Sequence, residues 1–308
     1  MTAADGLTAG QPDDGAEQPG VRAAPGPVPG TAPGTGRADD REALIAHLLR
    51  HRLAGPEIPT SRQNNLRHYR LFAQADPKAL MGLDPERRRD EAAVLALMVE
   101  KAGVRPEPDY TEGPDFIDPA RTVAALDRLA ALLAATARRR GTVLAGTGHP
   151  TKLTAFHTSL ARALERAGCT LRTPALGERF REPTPAGPRH CRLDALGPVL
   201  VVRPAGDPGD GPDLLHTHSP LPVRLALAAL AEAGEPMPGL VLGDHGWLCG
   251  AGRLGIPAGG IADCNDVAPF AAEAEGTVAV AVPVDDGAQP DCYRALSDYV
   301  LQRADLAP

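Results

Sequence analysis

The sequence predicts an α/β protein whose mostly parallel, Rossmann-like sheet is preceded by an N-terminal helical layer. Three observations carry that prediction. From 39 to 140 the apolar spacing is helical. From Gly141 onward short apolar runs alternate with helical periodicities, as βαβ units require. Polar groups then follow each apolar run, where the carboxyl ends of parallel strands place ligands. The implied division is a disordered tail over 1–40, a helical region over 41–140 and an α/β domain over 141–308.

The tail holds eight Gly, six Pro, six acidic residues and two arginines, with no aromatic. It cannot bury enough apolar surface to offset its ordering entropy, so disorder is expected. Arg41–Leu53 then sets Leu44, Ile45, Leu48 and Leu49 on one helical face. Thr60-Ser61 opens a second helix around 64–75, and Asp90–Lys101 reads as a third, stopped by Gly103. Asp118-Pro119, an acid before a Pro at the first helical position, starts a long helix over 119–140. Arg138, Arg139 and Arg140 suit its carbonyl pole.

Thr142–Ala145 is the first strand, followed by a helix over 151–167 and a strand at Cys169–Thr173. Residues 176–198, rich in Pro, Gly and Arg, read as mainly irregular, with Arg189–Leu193 a local partner for a strand at Val199–Arg203. One arrangement then recurs: strand Asp213–Leu215 with helix 221–233, Gly239–Leu242 with 247–254, and Ile256–Ile261 with 267–274. Strand Thr277–Val284 and a helix over 291–303 close the chain.

Composition narrows the partners. With 32 Lys+Arg against 39 Asp+Glu, the net charge of −7 argues against a nucleic-acid or anionic-membrane binder. No apolar run reaches the roughly 18 residues of a spanning helix, and no secretory signal is visible. A cytoplasmic protein is expected. Its five cysteines are scattered without a CxxC pair, which disfavours a disulfide framework or a zinc knuckle.

The candidate site is the set of strand-end segments: Gly146-Thr147-Gly148-His149, His216-Thr217-His218-Ser219, Asp244-His245, Asp263-Cys264-Asn265-Asp266 and Asp285-Asp286. Aligned by one sheet, they crowd carboxylates and imidazoles into one crevice, where a divalent cation would offset the charge. Mixed donors suit Mg²⁺ or Mn²⁺ first and Co²⁺ or Ni²⁺ next, with Asp244, Asp263, Asn265 and Asp266 as expected ligands. Asp244, Asp263 and Asp266 can equally cap helices, and Asp285-Asp286-Gly287 reads first as a turn.

His216 and His218, two apart in an extended segment, project to one side and with Asp244 are the expected catalytic groups. Gly146, Thr147, Gly148 and His149, with Lys152, resemble a phosphate cradle at a helix N-terminus, the plainer reading being a tight βα turn. The loop is neither a Walker A motif nor a complete GxGxxG, because Thr151 stands where each requires Gly. Asn64, Asn65 and Arg67, in the polar run Ser61–Arg70, are placed over the substrate; a solvated helix face is the alternative. No GxSxG elbow supports a serine nucleophile.

Six segments carry a family resemblance: RQNNLRHYR (62–70), ATARRRGTVLAGTGHPT (135–151), LLHTHSPLPVR (214–224), LVLGDHGW (240–247), IADCNDVAPFAAEAEGTVAVAVPVDD (261–286) and YRALSDYVL (293–301). Through them the chain is similar, from about 41 to 303, to an actinobacterial family labelled phosphatase. A helical layer before an α/β domain also resembles the DUF89-type metal-dependent phosphatases of carbohydrate and metabolite phosphates. The resemblance and the residues together imply a metal-dependent phosphomonoesterase acting on a small phosphorylated metabolite. Two other readings use the same crevice. One is a transferase or isomerase binding a nucleotide-sugar or other phosphorylated ligand, the other a non-catalytic sensor of such a ligand.

Overall fold

Side chains that take up free backbone N–H groups set the helix starts. The computed structural model describes residues 36–184, 186–206 and 213–307. Of the tail expected over 1–40, residues 1–35 lie outside them, and α1 (Gly36–Arg50) already includes the last positions assigned to it. Ser61 caps α2 (Arg62–Ala73), Asp76 caps α3 (Pro77–Leu80) and Asp90 caps α4 (Glu91–Ala102), which Gly103 ends at φ +73°. Asp118 accepts from Ala120 N to open α5 (Pro119–Arg139), with Pro119 in its first turn.

Eight strands follow, interleaved with helices: β1 (Thr142–Gly146), α6 (Pro150–Arg166), β2 (Thr170–Arg172), β3 (Arg179–Glu182), β4 (Arg189–Leu196) and β5 (Val199–Pro204). Then come α7 (Leu221–Glu232), β6 (Leu240–Gly243), α8 (His245–Gly252), β7 (Ala258–Ala262), α9 (Val267–Ala274) and β8 (Val280–Pro283). A 3₁₀ turn leads into α10 (Arg294–Arg303). β6, β7 and β8 are buried along their whole length, as strands covered on both faces must be.

The strand order is β3-β4-β5-β1-β6-β7-β8, and β2 pairs with the first residues of β1 while β5 takes its last two. Every pairing is parallel except β3–β4 and β4–β5, so β4 alone runs against the other strands and the sheet is mixed though mostly parallel. β3 falls in the stretch read as irregular. Its sequence, Arg-Phe-Arg-Glu, offers one apolar residue and so no strand signal, which is usual for an edge. Asp213–Leu215, expected as a strand, is not one: Leu215 N donates to Val202 O and the ladder goes no further.

α5 and α6 pack on one face of the sheet with α10 against both, and α8 and α9 on the other with α7 against α8. The helices before β1 do not form one separate layer. α5 lies on β7 and β8 themselves, whereas α2, α3 and α4 pack on α9. Among the described residues no helix is long and apolar enough to cross a membrane. The five cysteines are free.

One topological feature positions the site. From β1 the chain runs outward to β2 and β5, then returns to β6 on the other side of β1 and continues to β7 and β8. The connections after β1 and β6 therefore part in opposite directions, and a crevice opens over the carboxyl ends of those two strands.

Candidate metal centre

Asp244 and His245 form the elbow between β6 and α8. His245 sits at φ +47°, a left-handed conformation that few non-glycine residues adopt. It turns the chain from strand to helix in one step and leaves the imidazole over the sheet edge. Gly246 follows because any side chain there would collide with the carbonyls of His218 and Ser219. Gly148 is equally constrained, with the Thr217 carbonyl against it. Three loops thus touch backbone to backbone.

Asp244 is buried and fully occupied. Thr147 Oγ1 donates to Oδ2 at 2.5 Å and Gly148 N to Oδ1 at 2.7 Å. His157 Nε2 lies 3.0 Å from Oδ2, and His245 Nδ1 lies 2.6 Å from Oδ1. A carboxylate has about four acceptor positions, and all four are used. Burial pushes its pKa up, but the His157 and His245 bonds outweigh burial and hold it well below the carboxylate range. Asp244 therefore anchors His245, and its four bonds leave no acceptor position for the metal-ligand or catalytic role expected of it.

The same bonds remove the expected phosphate cradle. Thr147 N donates to Leu200 O, Gly148 N to Asp244 and His149 N to Thr147 Oγ1, so none of the three faces a ligand. Gly146, at the end of β1, lies against the Trp247 ring. The Lys152 side chain makes no hydrogen bond or ion pair among the described residues. The tight-turn reading is the one the bonds support.

Six other side chains converge. His245 Nε2 lies 3.2 Å from Asp266 Oδ2 and 3.3 Å from Asp286 Oδ2. His218 Nδ1 is 3.8 Å from Asp266 Oδ1, and His149 Nδ1 is 3.3 Å from Asp286 Oδ2. The His216 ring stacks on His149 at 4.4 Å and lies 5.0 Å from His218. Two trios have donor atoms within 4.8 Å of one another: His216, His218 and His245; and His245, Asp266 and Asp286.

These groups fit a divalent ion. Both oxygens of Asp266 are buried without any hydrogen-bond partner, although His245 Nε2 is close. An ionised carboxylate left so is costly, and a cation between the groups removes the cost. Two donors each about 2.1 Å from one ion at a right angle stand about 3 Å apart, near the separations seen. Burial, partly countered by His245, raises Asp266 to about 7. His245 is itself held well above its usual value: burial opposes its charge, but Asp266, Asp244 and Asp286 outweigh it. For His218, burial and then the neighbouring imidazoles push the pKa well down.

Asp263 stands one layer back. Its Oδ1 accepts from Cys264 N at 2.6 Å and its Oδ2 from Thr60 Oγ1 at 2.8 Å. Burial and the charges of Asp285, Asp286 and Asp266 raise its pKa well above the usual range. Asp285 accepts from Gly287 N and Thr60 N, so it makes the expected turn while its neighbour Asp286 faces the cluster. Asn265 is half-buried and lines the cleft beside Asp266.

On α2, Asn65 is fully buried and donates to Asp115 Oδ2 at 2.8 Å, so it cannot cover a substrate. Arg67 does line the cleft, with Asn64 Oδ1 accepting from it at 3.1 Å. His157 lies outside the candidate segments altogether, whereas His245 and Asp286 lie within them but without an expected role of their own. The overlooked strand β3 has a role as well. Its Glu182 accepts from Thr217 Oγ1, and Arg189 on β4 donates to His216 O, which together hold the His216–His218 segment.

Fold and site define an α/β protein with a His/Asp cluster at the point where its strand order reverses. A profile for the family described as Phosphatase matches residues 39–308. The chain belongs to that family. It is similar to Phosphatase SCO2771 of Streptomyces coelicolor, with 39% identity over 282 residues, 91% of this chain and 99% of that protein.

Proposed function

We propose that this protein is a metal-dependent phosphomonoesterase acting on a small phosphorylated metabolite. Asp266 carries the proposal: a buried carboxylate with both oxygens unpartnered, facing His245 across the crevice. His216, His218, His245, Asp266 and Asp286 would hold the ion. A set this rich in imidazole suits Mn²⁺, Co²⁺, Ni²⁺ or Zn²⁺ better than Mg²⁺, which favours oxygen donors. When bound, a divalent ion neutralises phosphoryl oxygens and makes water a better nucleophile.

The chain's own groups do the rest. Asp244 accepts a 2.6 Å hydrogen bond from Nδ1–H of His245, which fixes the tautomer and presents Nε2 as a donor of electrons. His157 and the Thr147–Gly148 turn keep Asp244 in place. His149 lies outside both trios, beside Asp286 and against the His216 ring. An imidazole so placed is suited to protonate the leaving oxygen.

Hydrolysis of simple phosphomonoesters after chelation and re-addition of each ion tests the reading. Phosphate release should vanish with EDTA and return with a transition-metal ion; no release with any ion would overturn it. Ion affinity should also rise with pH. Below about 7 Asp266 holds a proton in the free protein, and His245 holds one to higher pH. The ion must displace both, so its association constant gains up to about tenfold per pH unit for each proton lost. Calorimetry in buffers of different ionisation enthalpy counts those protons, and an affinity flat between pH 6 and pH 9, about the range used for such titrations, contradicts the assignment.

A further inference from the structure

The cleft that reaches His218 and Asp266 continues to a wall of three basic side chains, Arg67, His68 and Lys78. Asp266 is its one acidic lining residue. Arg67 donates to Asn64 Oδ1, and His68 Nε2 lies 3.0 Å from its guanidinium; among the described residues no carboxylate pairs with it. The Lys78 ammonium has neither hydrogen bond nor ion pair there. The nearest acid in sequence, Asp76, accepts from the backbone N–H groups of Lys78 and Ala79 as the cap of α3. His68 Nδ1 is buried without a partner. Burial first, then Arg67 and Lys78, lower the pKa of His68 to about 4, so at neutral pH the ring offers a hydrogen bond and not a charge.

Two cations without counter-charges among the described residues, and the His68 ring beside them, therefore line a cleft whose other end is the candidate metal centre. A substrate held by its ester phosphate at that centre would have this cleft as a path for its leaving group, with the basic wall along it. We propose that Arg67 and Lys78, with His68, bind a second anionic group on the leaving-group side of the substrate, so that the preferred substrates are phosphomonoesters bearing a further phosphate or carboxylate. This inference rests on the phosphomonoesterase reading for its account of turnover, but the binding preference can be measured without turnover.

The test compares three probe sets of matched chain length on the metal-loaded protein: alkyl monophosphates, alkanediol bisphosphates and ω-carboxyalkyl phosphates. Charged hydrogen bonds of this kind change affinity by about tenfold or more. The doubly anionic probes should show a kcat/KM advantage of about that size, carried mainly in KM. Lys78→Glu should abolish the advantage and Lys78→Arg should retain it, with unfolding temperature recorded for each. The phosphate and carboxylate arms identify which second group is taken. Calorimetric titration with the corresponding non-hydrolysable phosphonates separates the two readings. Tighter binding of the doubly anionic phosphonates without hydrolysis of any ester would sink the phosphomonoesterase and leave this inference standing. Equal binding of singly and doubly anionic probes, or an advantage that survives Lys78→Glu, would overturn it.

Discussion

On the proposed reading, replacing Asp266 by Asn should give a protein that is more stable without metal and releases phosphate far more slowly. The two effects share one cause. In the free protein the Asp266 carboxyl titrates near about 7 because burial opposes its charge. Its folded pKa is therefore above its unfolded value of about 4, so folding holds a proton that the unfolded chain gives up. Stability falls as pH rises from about 4 to about 7 and stays low above that. Asn removes the titration, so the variant gains on the order of 2–4 kcal/mol at pH 8 and nothing at pH 4. With saturating ion the order reverses, since wild type gains about 4 kcal/mol at a thousand times Kd and the variant cannot. Turnover falls by about a thousandfold, matching the several kcal/mol a metal contributes to phosphoryl transfer. Asp263→Asn is the contrast. Its carboxyl is held well above the usual range and bonded to Thr60 and Cys264, so turnover changes by less than about tenfold. Thermal unfolding at two pH values with and without ion decides the matter, and an Asp266→Asn protein that still binds the ion tightly refutes the assignment.

The contrast shows what the sequence could and could not say. Strand-end placement puts His216, His218 and Asp266 at one edge of the sheet, and in the structure all three lie around His245 there. Which residue of each polar pair faces the crevice was beyond it. In Asp244-His245 the left-handed backbone at His245 aims the second residue outward and turns the first inward, and no composition signal encodes that rotation. In Asp285-Asp286 the turn signal was sound for the first residue and hid the second. The Gly-Thr-Gly loop has the composition of an anion cradle, yet its N–H groups are used by Leu200, Asp244 and Thr147. His157 sits among Leu153, Phe156 and Leu160 on the buried face of α6, where a histidine reads as core. Asn65 was legible. It shares a helix face with Tyr69 and Phe72 at i, i+4 and i+7, the spacing of a buried stripe.

That stripe leads to the second large effect: Asp115→Ala destabilises the protein by about 3–5 kcal/mol, the cost of stranding a buried charge. Arg62 and Asp115 are both fully buried and pair at 3.1 Å. Arg62 Nε and Nη2 donate to Tyr110 O and Glu107 O, while Asp115 also accepts from Asn65, Arg105 N and Phe116 N. Removing the carboxylate leaves the guanidinium without its counter-charge. Arg62→Met leaves a carboxylate that keeps three donors, so its cost is smaller, and the double variant costs less than the sum of the two. The network also ties α2 to the metal loop: Asn65 reaches Cys264 Sγ at 3.3 Å, and Tyr69 OH donates to Cys264 O at 3.0 Å, two residues before Asp266. Asp115→Ala should therefore weaken ion binding as well as folding. Leu48→Ala, a core truncation on α1 of comparable cost, should weaken folding alone. Denaturant unfolding with ion titrations on the same preparations separates these, and equal loss of ion affinity in both variants would show that the network acts only through global stability.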